Sequence, residues 1–156
     1  MRVVPALAFA LALAAPAAAF AAPVSDIQVT LGPKLLAKAK DKNYGQRDLD
    51  YLTTDLKNAI QRSLKAKGEF GRGGRLEVVI EDATPNRPTF GQMSANPSLS
   101  MRSVGVGGAT VRGHLGGQEI SYSYWATDIR DERGSATWTD AENAFDGFAH
   151  KVADAR

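Results

Sequence analysis

Two adjacent glycines, Gly116 and Gly117, divide a stretch of alternating side chains, and this arrangement constrains the fold more than any other feature of the chain. The two-residue turn of a tight hairpin needs positive φ angles, which glycine adopts readily. If these glycines form the turn, Leu115 lies opposite Gln118 and the other cross-strand pairs follow in register. The stretch therefore predicts an antiparallel β-hairpin between residues 104 and 128.

The predicted register separates the side chains of the hairpin into two faces. On the first face, large apolar residues lie across from small ones, as Tyr124 does from Ala109. The second face is polar apart from Trp125, which lies opposite Gly108. One buried face and one solvated face are typical of an antiparallel sheet. The apolar face therefore needs a layer that covers it.

Other segments of the chain supply that layer and the remaining strands. Residues 26–31 and 75–83 alternate apolar with polar side chains, as half-buried strands do. Residues 47–67 carry an apolar stripe at helical spacing, and a second helix is expected to begin with a capping box between Thr139 and Glu142. The order β-α-β-β-β-α predicts an α+β two-layer sandwich, with a mainly antiparallel four-stranded sheet and two helices on one face.

The first 21 residues have the features of a secretory signal peptide. A basic start and an apolar run are followed by the small-residue pattern Ala19-Phe20-Ala21, after which cleavage is expected. No later segment approaches the ~20 consecutive apolar residues of a membrane span. The absence of cysteine argues against disulfides and against a lipid anchor. Residues 22–156 are therefore predicted to form a single small soluble domain in the bacterial periplasm or the extracellular medium.

The connection at residues 84–103 is unusually long for a compact domain. It contains Pro85, Pro88 and Pro97, which argue against a long helix or a central strand. Loops of this length are usually functional or mobile. This one also carries apolar side chains such as Phe90, more than a flexible linker would keep. Either the loop folds back and packs on its own domain, or it presents these side chains to a partner or ligand.

Signals for catalysis and for metal binding are weak. The only histidines are His114, which is expected to pair with Glu119 across the hairpin, and His150 on a predicted helix. No Gly-x-Ser-x-Gly turn presents a nucleophile, and no spacing of a zinc site or calcium loop is present. The adjacent pair Glu81 and Asp82 is expected to point to opposite faces of a strand. The sequence therefore favours a non-enzymatic protein over an enzyme and indicates no metal and no cofactor.

The nearly balanced charge, with 19 basic and 17 acidic residues, does not favour a nucleic-acid partner. Two interpretations remain for Trp125. It has a structural role, either packed on the cross-strand Gly108 or covered by the 84–103 loop. Otherwise it forms a recognition surface with Phe90, Arg87 and Arg112, because aromatic and arginine side chains dominate interface energies.

Two functions follow from these interpretations. The first is an exported interaction module that binds an unknown envelope or extracellular protein. The alternative is a binder of a small molecule or glycan, or a weak hydrolase, with its pocket between the long loop and the polar sheet face.

Overall fold

The computed structural model describes residues 23–131 and 136–155, which form a mixed four-stranded sheet and four α-helices. The elements in chain order are β1 (Val24–Leu31), α1 (Pro33–Asp41), α2 (Gln46–Ala66), β2 (Phe70–Thr84), α3 (Phe90–Ala95), β3 (Gly108–Leu115), β4 (Gln118–Trp125), a short 3-10 helix (Ile129–Asp131) and α4 (Thr139–Asp154). Strand β1 is parallel to β2, and the β2-β3 and β3-β4 pairs are antiparallel. The predicted signal peptide lies outside the described residues.

Strands β3 and β4 form the hairpin that the sequence predicts. Gly116 and Gly117 have φ angles of 54° and 86°, as the turn requires. The cross-strand pairs have the predicted register along both strands, with Gly108 opposite Trp125 at the open end. The prediction was wrong at both boundaries, because β3 begins at Gly108 and not at residue 104, and β4 ends at Trp125 and not at residue 128.

The apolar face of the sheet packs against α2 and α4. Phe148 of α4 is fully buried and occupies space that Gly113 leaves open, since a Cβ on Gly113 would lie 2.8 Å from the Cζ of Phe148. In the same way a Cβ on Gly147 of α4 would lie 2.4 Å from the Cε1 of Tyr122. The small residues of the apolar face therefore allow aromatic rings to fit closely between sheet and helix.

Helix α1 lies beyond the end of β1 and contacts β2, which continues past that point. The amide of Gly32, at the junction, donates to the carbonyl oxygen of Ile80 at 2.9 Å. Leu35 and Ala39, one turn apart, are buried in the core. Neither α1 nor α3 was predicted. None of the described helices is long and apolar enough to cross a membrane.

Candidate functional site

The four residues predicted to form a recognition surface lie on different parts of the fold. Arg112 and Trp125 are on β3 and β4, on the polar face of the sheet, whereas Arg87 and Phe90 belong to the 84–103 loop. The structure therefore does not bring the four residues together into one surface.

Trp125 makes contacts that explain its position on the polar face. Its Nε1 donates to the hydroxyls of Ser123 at 2.9 Å and Thr110 at 3.2 Å. A Cβ on Gly108 would lie 2.8 Å from the Cε3 of Trp125, so the ring rests directly on that glycine. The ammonium of Lys38 lies 5.5 Å from the ring centroid, within the range of a cation–π contact. These contacts favour the structural interpretation of Trp125.

Arg112 pairs with two carboxylates on the polar face. Its Nε lies 2.8 Å from Glu81 and its Nη1 lies 3.2 Å from Glu119. Glu81 is the extra residue of a β-bulge, because the register passes from Ile80 directly to Asp82 along β3. The prediction that Glu81 and Asp82 point to opposite faces was therefore wrong, since the bulge turns both toward the polar side.

Asp82 joins the polar face to α1 through a buried carboxylate. Lys34 lies 2.8 Å from it, and Lys38 contacts it while also donating to the hydroxyl of Thr84 at 3.1 Å. Burial opposes ionisation of Asp82, but the two lysines together lower the pKa of the carboxyl below its ordinary value. Within residues 23–131 and 136–155, no cluster of acidic, histidine or cysteine side chains could hold a metal ion. The Asp82 cluster thus has the composition of a structural ion pair.

The 84–103 loop packs on its own domain through α3. Thr89 and Gln92 form a capping box at the start of this helix, with hydrogen bonds of 3.2 Å and 3.0 Å. The Thr89 hydroxyl also donates to the carbonyl oxygen of Asn43, between α1 and α2. Gly91 passes so close to that oxygen that a Cβ would lie 2.1 Å from it. The contact therefore requires glycine and fixes α3 against the α1-α2 connection.

A second attachment of the loop is the buried side chain of Asn86. Its backbone amide donates to Thr137 O at 3.0 Å, and its Nδ2 donates to Ala136 O at 3.1 Å. Its backbone carbonyl accepts from the amide of Gly105 at 2.9 Å, and its Oδ1 accepts from the amide of Asp140 at 3.3 Å. Asn86 therefore connects the start of the loop to Gly105, just beyond its end, and to the start of α4, where the first backbone amides have no partner within the helix.

The side chain of Phe90 remains exposed although the loop is attached on both sides. Phe90 is the first residue of α3 and is 81% exposed. Beside it a pocket of about 340 Å³ opens between α3, the start of α2 and the start of α4. We name this region the Phe90 surface and define it by the pocket-lining residues Tyr51, Pro88, Phe90, Met101, Trp138 and Glu142.

Trp138 forms a buried wall of the pocket and was not among the predicted site residues. It is 3% exposed, its Nε1 donates to Asp48 at 3.2 Å, and its ring meets that of Tyr44 edge-on with centroids 5.3 Å apart. The predicted capping box was wrong, because Trp138 itself is the N-cap residue and Glu142 accepts a hydrogen bond from the Tyr51 hydroxyl. A tryptophan directly before a helix start was the signal available in the sequence.

Negative charge accumulates where α2 and α4 meet next to the pocket. Burial raises the pKa of Tyr51 well above its ordinary value, and the hydrogen bond to Glu142 and its charge raise it further. Burial and the charge of Glu142 also raise the pKa of Asp55, against the opposing effect of Arg62. The edge of the Phe90 surface therefore has a local excess of carboxylates.

Comparison with known proteins does not assign this site. No family model and no curated protein matches the chain. A crystal structure of a minor lipoprotein from Acinetobacter baumannii is similar over 83% of this chain and 90% of that chain, with 13% sequence identity and a TM-score of 0.36. A TM-score this low supports no conclusion about shared fold or role. The function therefore has to be inferred from the geometry of the Phe90 surface.

Proposed function

We propose that the chain is an exported, non-enzymatic interaction module that binds a partner protein of the bacterial envelope or extracellular medium at the Phe90 surface. The observation that carries the proposal is the exposure of Phe90 beside a formed pocket. Tyr51 and Met101, which also line the pocket, are 44% and 48% exposed. Single exposed apolar residues are ordinary, but a continuous apolar patch with a polar rim is typical of an interaction site.

The Phe90 surface is held in place before any partner binds. The capping box of α3 and the close contact of Gly91 with Asn43 fix the base of Phe90. Trp138 is held by its hydrogen bond to Asp48. A partner that binds a fixed surface avoids the entropy cost of ordering a loop. An aromatic side chain on a rigid support is therefore suited to act as an interface anchor.

This proposal retains only part of the predicted recognition surface. Phe90 remains the anchor, whereas Trp125 and Arg112 are assigned to the stability of the sheet. Arg87 donates from Nη1 to the carbonyl oxygen of Met101 at 3.0 Å. We therefore assign Arg87 the role of positioning the loop segment that carries Met101.

A second candidate function is the binding of a small apolar molecule in the same pocket. Its volume of about 340 Å³ is near the lower end of the range of roughly 300–1,000 Å³ that is usual for ligand pockets. The predicted glycan or hydrolase site between the loop and the polar sheet face has less support, because the loop contacts described above run to Asn43 and to the start of α4. Native mass spectrometry of protein from its own host would detect a retained small mass.

The test of the main proposal is photo-crosslinking in the native host. A photoreactive residue is placed at Phe90, or at Met101, with a matched control at Leu36, which is an apolar residue on α1 with 47% exposure. We expect a discrete protein adduct from Phe90 and Met101 and none from Leu36. The adduct from Met101 should disappear when Phe90→Ala is added. Equal adducts at all three positions, or none at Phe90 and Met101, would overturn the proposal.

A further inference from the structure

We infer that the partner segment that occupies the Phe90 surface presents a large apolar side chain next to a lysine or arginine. The inference rests on the proposed function and specifies the chemistry of the partner. Two independent features of the surface lead to it: the apolar lining of the pocket, and the sign of the charge along one edge.

The apolar feature is the pocket between Phe90, Met101, Pro88 and Trp138. Trp138 is almost fully buried and closes the pocket toward the core, whereas Phe90 and Met101 stand exposed at its mouth. A large apolar side chain that enters the pocket removes its own surface and that of Phe90 and Met101 from water. A small or polar side chain in the pocket would remove less apolar surface from water.

The second feature is the excess of carboxylates next to the pocket. Asp48 and Glu142 line the pocket itself, and Asp55 and Asp146 follow on the same two helices one or two turns further on. On α2 and α4 the basic residues nearby are Arg47, at the pocket, and Arg62, which is 3.5 Å from Asp146. Arg87 lies on the opposite, loop side of the pocket, where its Nη1 donates to the carbonyl oxygen of Met101. A cationic side chain of the partner therefore gains from the local field, and an anionic one loses.

The same charges argue against a second copy of this chain as the occupant. A symmetric dimer brings the same patch of both subunits together. Contact through the Phe90 surface would bring two copies of this carboxylate-rich edge, with Glu142 and Asp55, to one interface. Like charges that face each other across an interface are unfavourable. A basic partner segment relieves this repulsion instead.

The test uses the two tryptophan indole N–H signals of the chain as reporters. Trp138 lines the pocket, and Trp125 on the polar sheet face is an internal control. The full chain is isotopically labelled in its own host and titrated with acetyl-Phe-Lys-amide, acetyl-Phe-Gln-amide and acetyl-Phe-Glu-amide. We expect the Trp138 signal to move while the Trp125 signal stays. The lysine peptide should bind about two- to fivefold more tightly than the glutamine peptide, and the glutamate peptide most weakly.

The variant Glu142→Gln keeps an acceptor for the Tyr51 hydroxyl and removes the charge. It should abolish most of the advantage of the lysine peptide, and added salt should reduce that advantage in the native chain. An unchanged Trp125 signal confirms that the variant is folded. Asp55→Asn serves as a second variant, which removes a charge without changing either partner of the hydrogen bond between Tyr51 and Glu142.

Each outcome separates this inference from the proposed function. Equal affinities, or preference for the glutamate peptide, would overturn the inference and leave the interaction module intact. If no dipeptide binds, the partner peptide crosslinked at Phe90 decides: a basic residue beside an apolar one supports the inference, and its absence contradicts it. A Trp138 signal that moves with protein concentration alone would identify a second copy as the occupant. Absence of binding and of crosslinking together would overturn the proposed function itself.

Discussion

Replacing Trp125 and replacing Phe90 with alanine should have opposite effects on stability and on binding. Trp125 is 37% exposed and rests on Gly108, whereas Phe90 is 81% exposed. Trp125→Ala should therefore lower the free energy of unfolding and leave crosslinking from Met101 unchanged. Phe90→Ala should abolish that crosslinking and leave stability almost unchanged.

The expected size of the Trp125 effect follows from its burial. About two thirds of the residue is removed from water. An aromatic side chain of roughly 200 Å² at about 25 cal/mol per Å² then contributes close to 3 kcal/mol. A compact denatured state lowers this to about 2 kcal/mol, which corresponds to a decrease in Tm of roughly 8 °C for a domain of this size. For Phe90→Ala the change should stay within about 0.5 kcal/mol, as is usual at the surface.

Urea unfolding followed by circular dichroism measures both variants, with Trp125→Phe as the matched control. That control keeps most of the packed area and loses the indole N–H that bonds to Ser123 and Thr110. The free energy of unfolding of Trp125→Phe should be about 0.5–1 kcal/mol lower than that of the native chain. A Trp125→Ala protein that is as stable as the native chain but no longer crosslinks would refute the assignment of the two aromatic residues.

Three further predictions concern single contacts. Replacing a glycine inside a helix with alanine is usually stabilising. Gly147→Ala should instead lower the free energy of unfolding by about 1–3 kcal/mol, because a Cβ would lie 2.4 Å from the ring of Tyr122. A variant that is more stable than the native chain in thermal unfolding would contradict this contact. Asp82→Asn should lower the free energy of unfolding by about 1–3 kcal/mol near neutral pH. Because the folded pKa of Asp82 lies below its ordinary value, its contribution is present above about pH 4 and is lost as the pH falls through the folded pKa, so the native chain and the variant should converge in stability in acid. Burial raises the pKa of Tyr44 to about 12, so its neutral form stabilises the fold below about pH 10 and the contribution is lost toward pH 12. In Tyr44→Phe the free energy of unfolding, measured from unfolding curves, should decrease less at alkaline pH than in the native chain.

The sequence predicted the parts of the fold that local rules determine. The hairpin register depends on Gly116 and Gly117 and on alternation along two neighbouring strands, and all of that information lies within one short stretch. Helix α2 is long enough for its apolar spacing to be unambiguous. The helices α1 and α3 have nine and six residues, which is too short for a periodic pattern to identify them.

Other features depend on contacts between distant segments and leave no local pattern. The bulge at Glu81 is set by the pairing of β2 with β3, and it places two carboxylates on one side that alternation alone would separate. The role of Trp138 depends on Asp48 and Tyr44, which precede it in the chain by most of the domain. A capping box predicted from Thr139 was therefore outcompeted by a tertiary hydrogen bond from Tyr51 to Glu142.

The position of the candidate site also depends partly on local sequence and partly on contacts between distant segments. The unusual length of the 84–103 loop and the apolar character of Phe90 are visible in the sequence, and they predicted a loop that either packs on its own domain or presents these side chains to a partner. The path of the loop is set by Asn86, whose backbone and side chain form hydrogen bonds to the segment before α4 and to Asp140. Because a buried polar group needs these partners to offset its desolvation, the loop is held near the helices and not above Trp125. The partner should therefore meet the end of the domain where α2, α3 and α4 converge, and the polar sheet face is left to its own ion pairs.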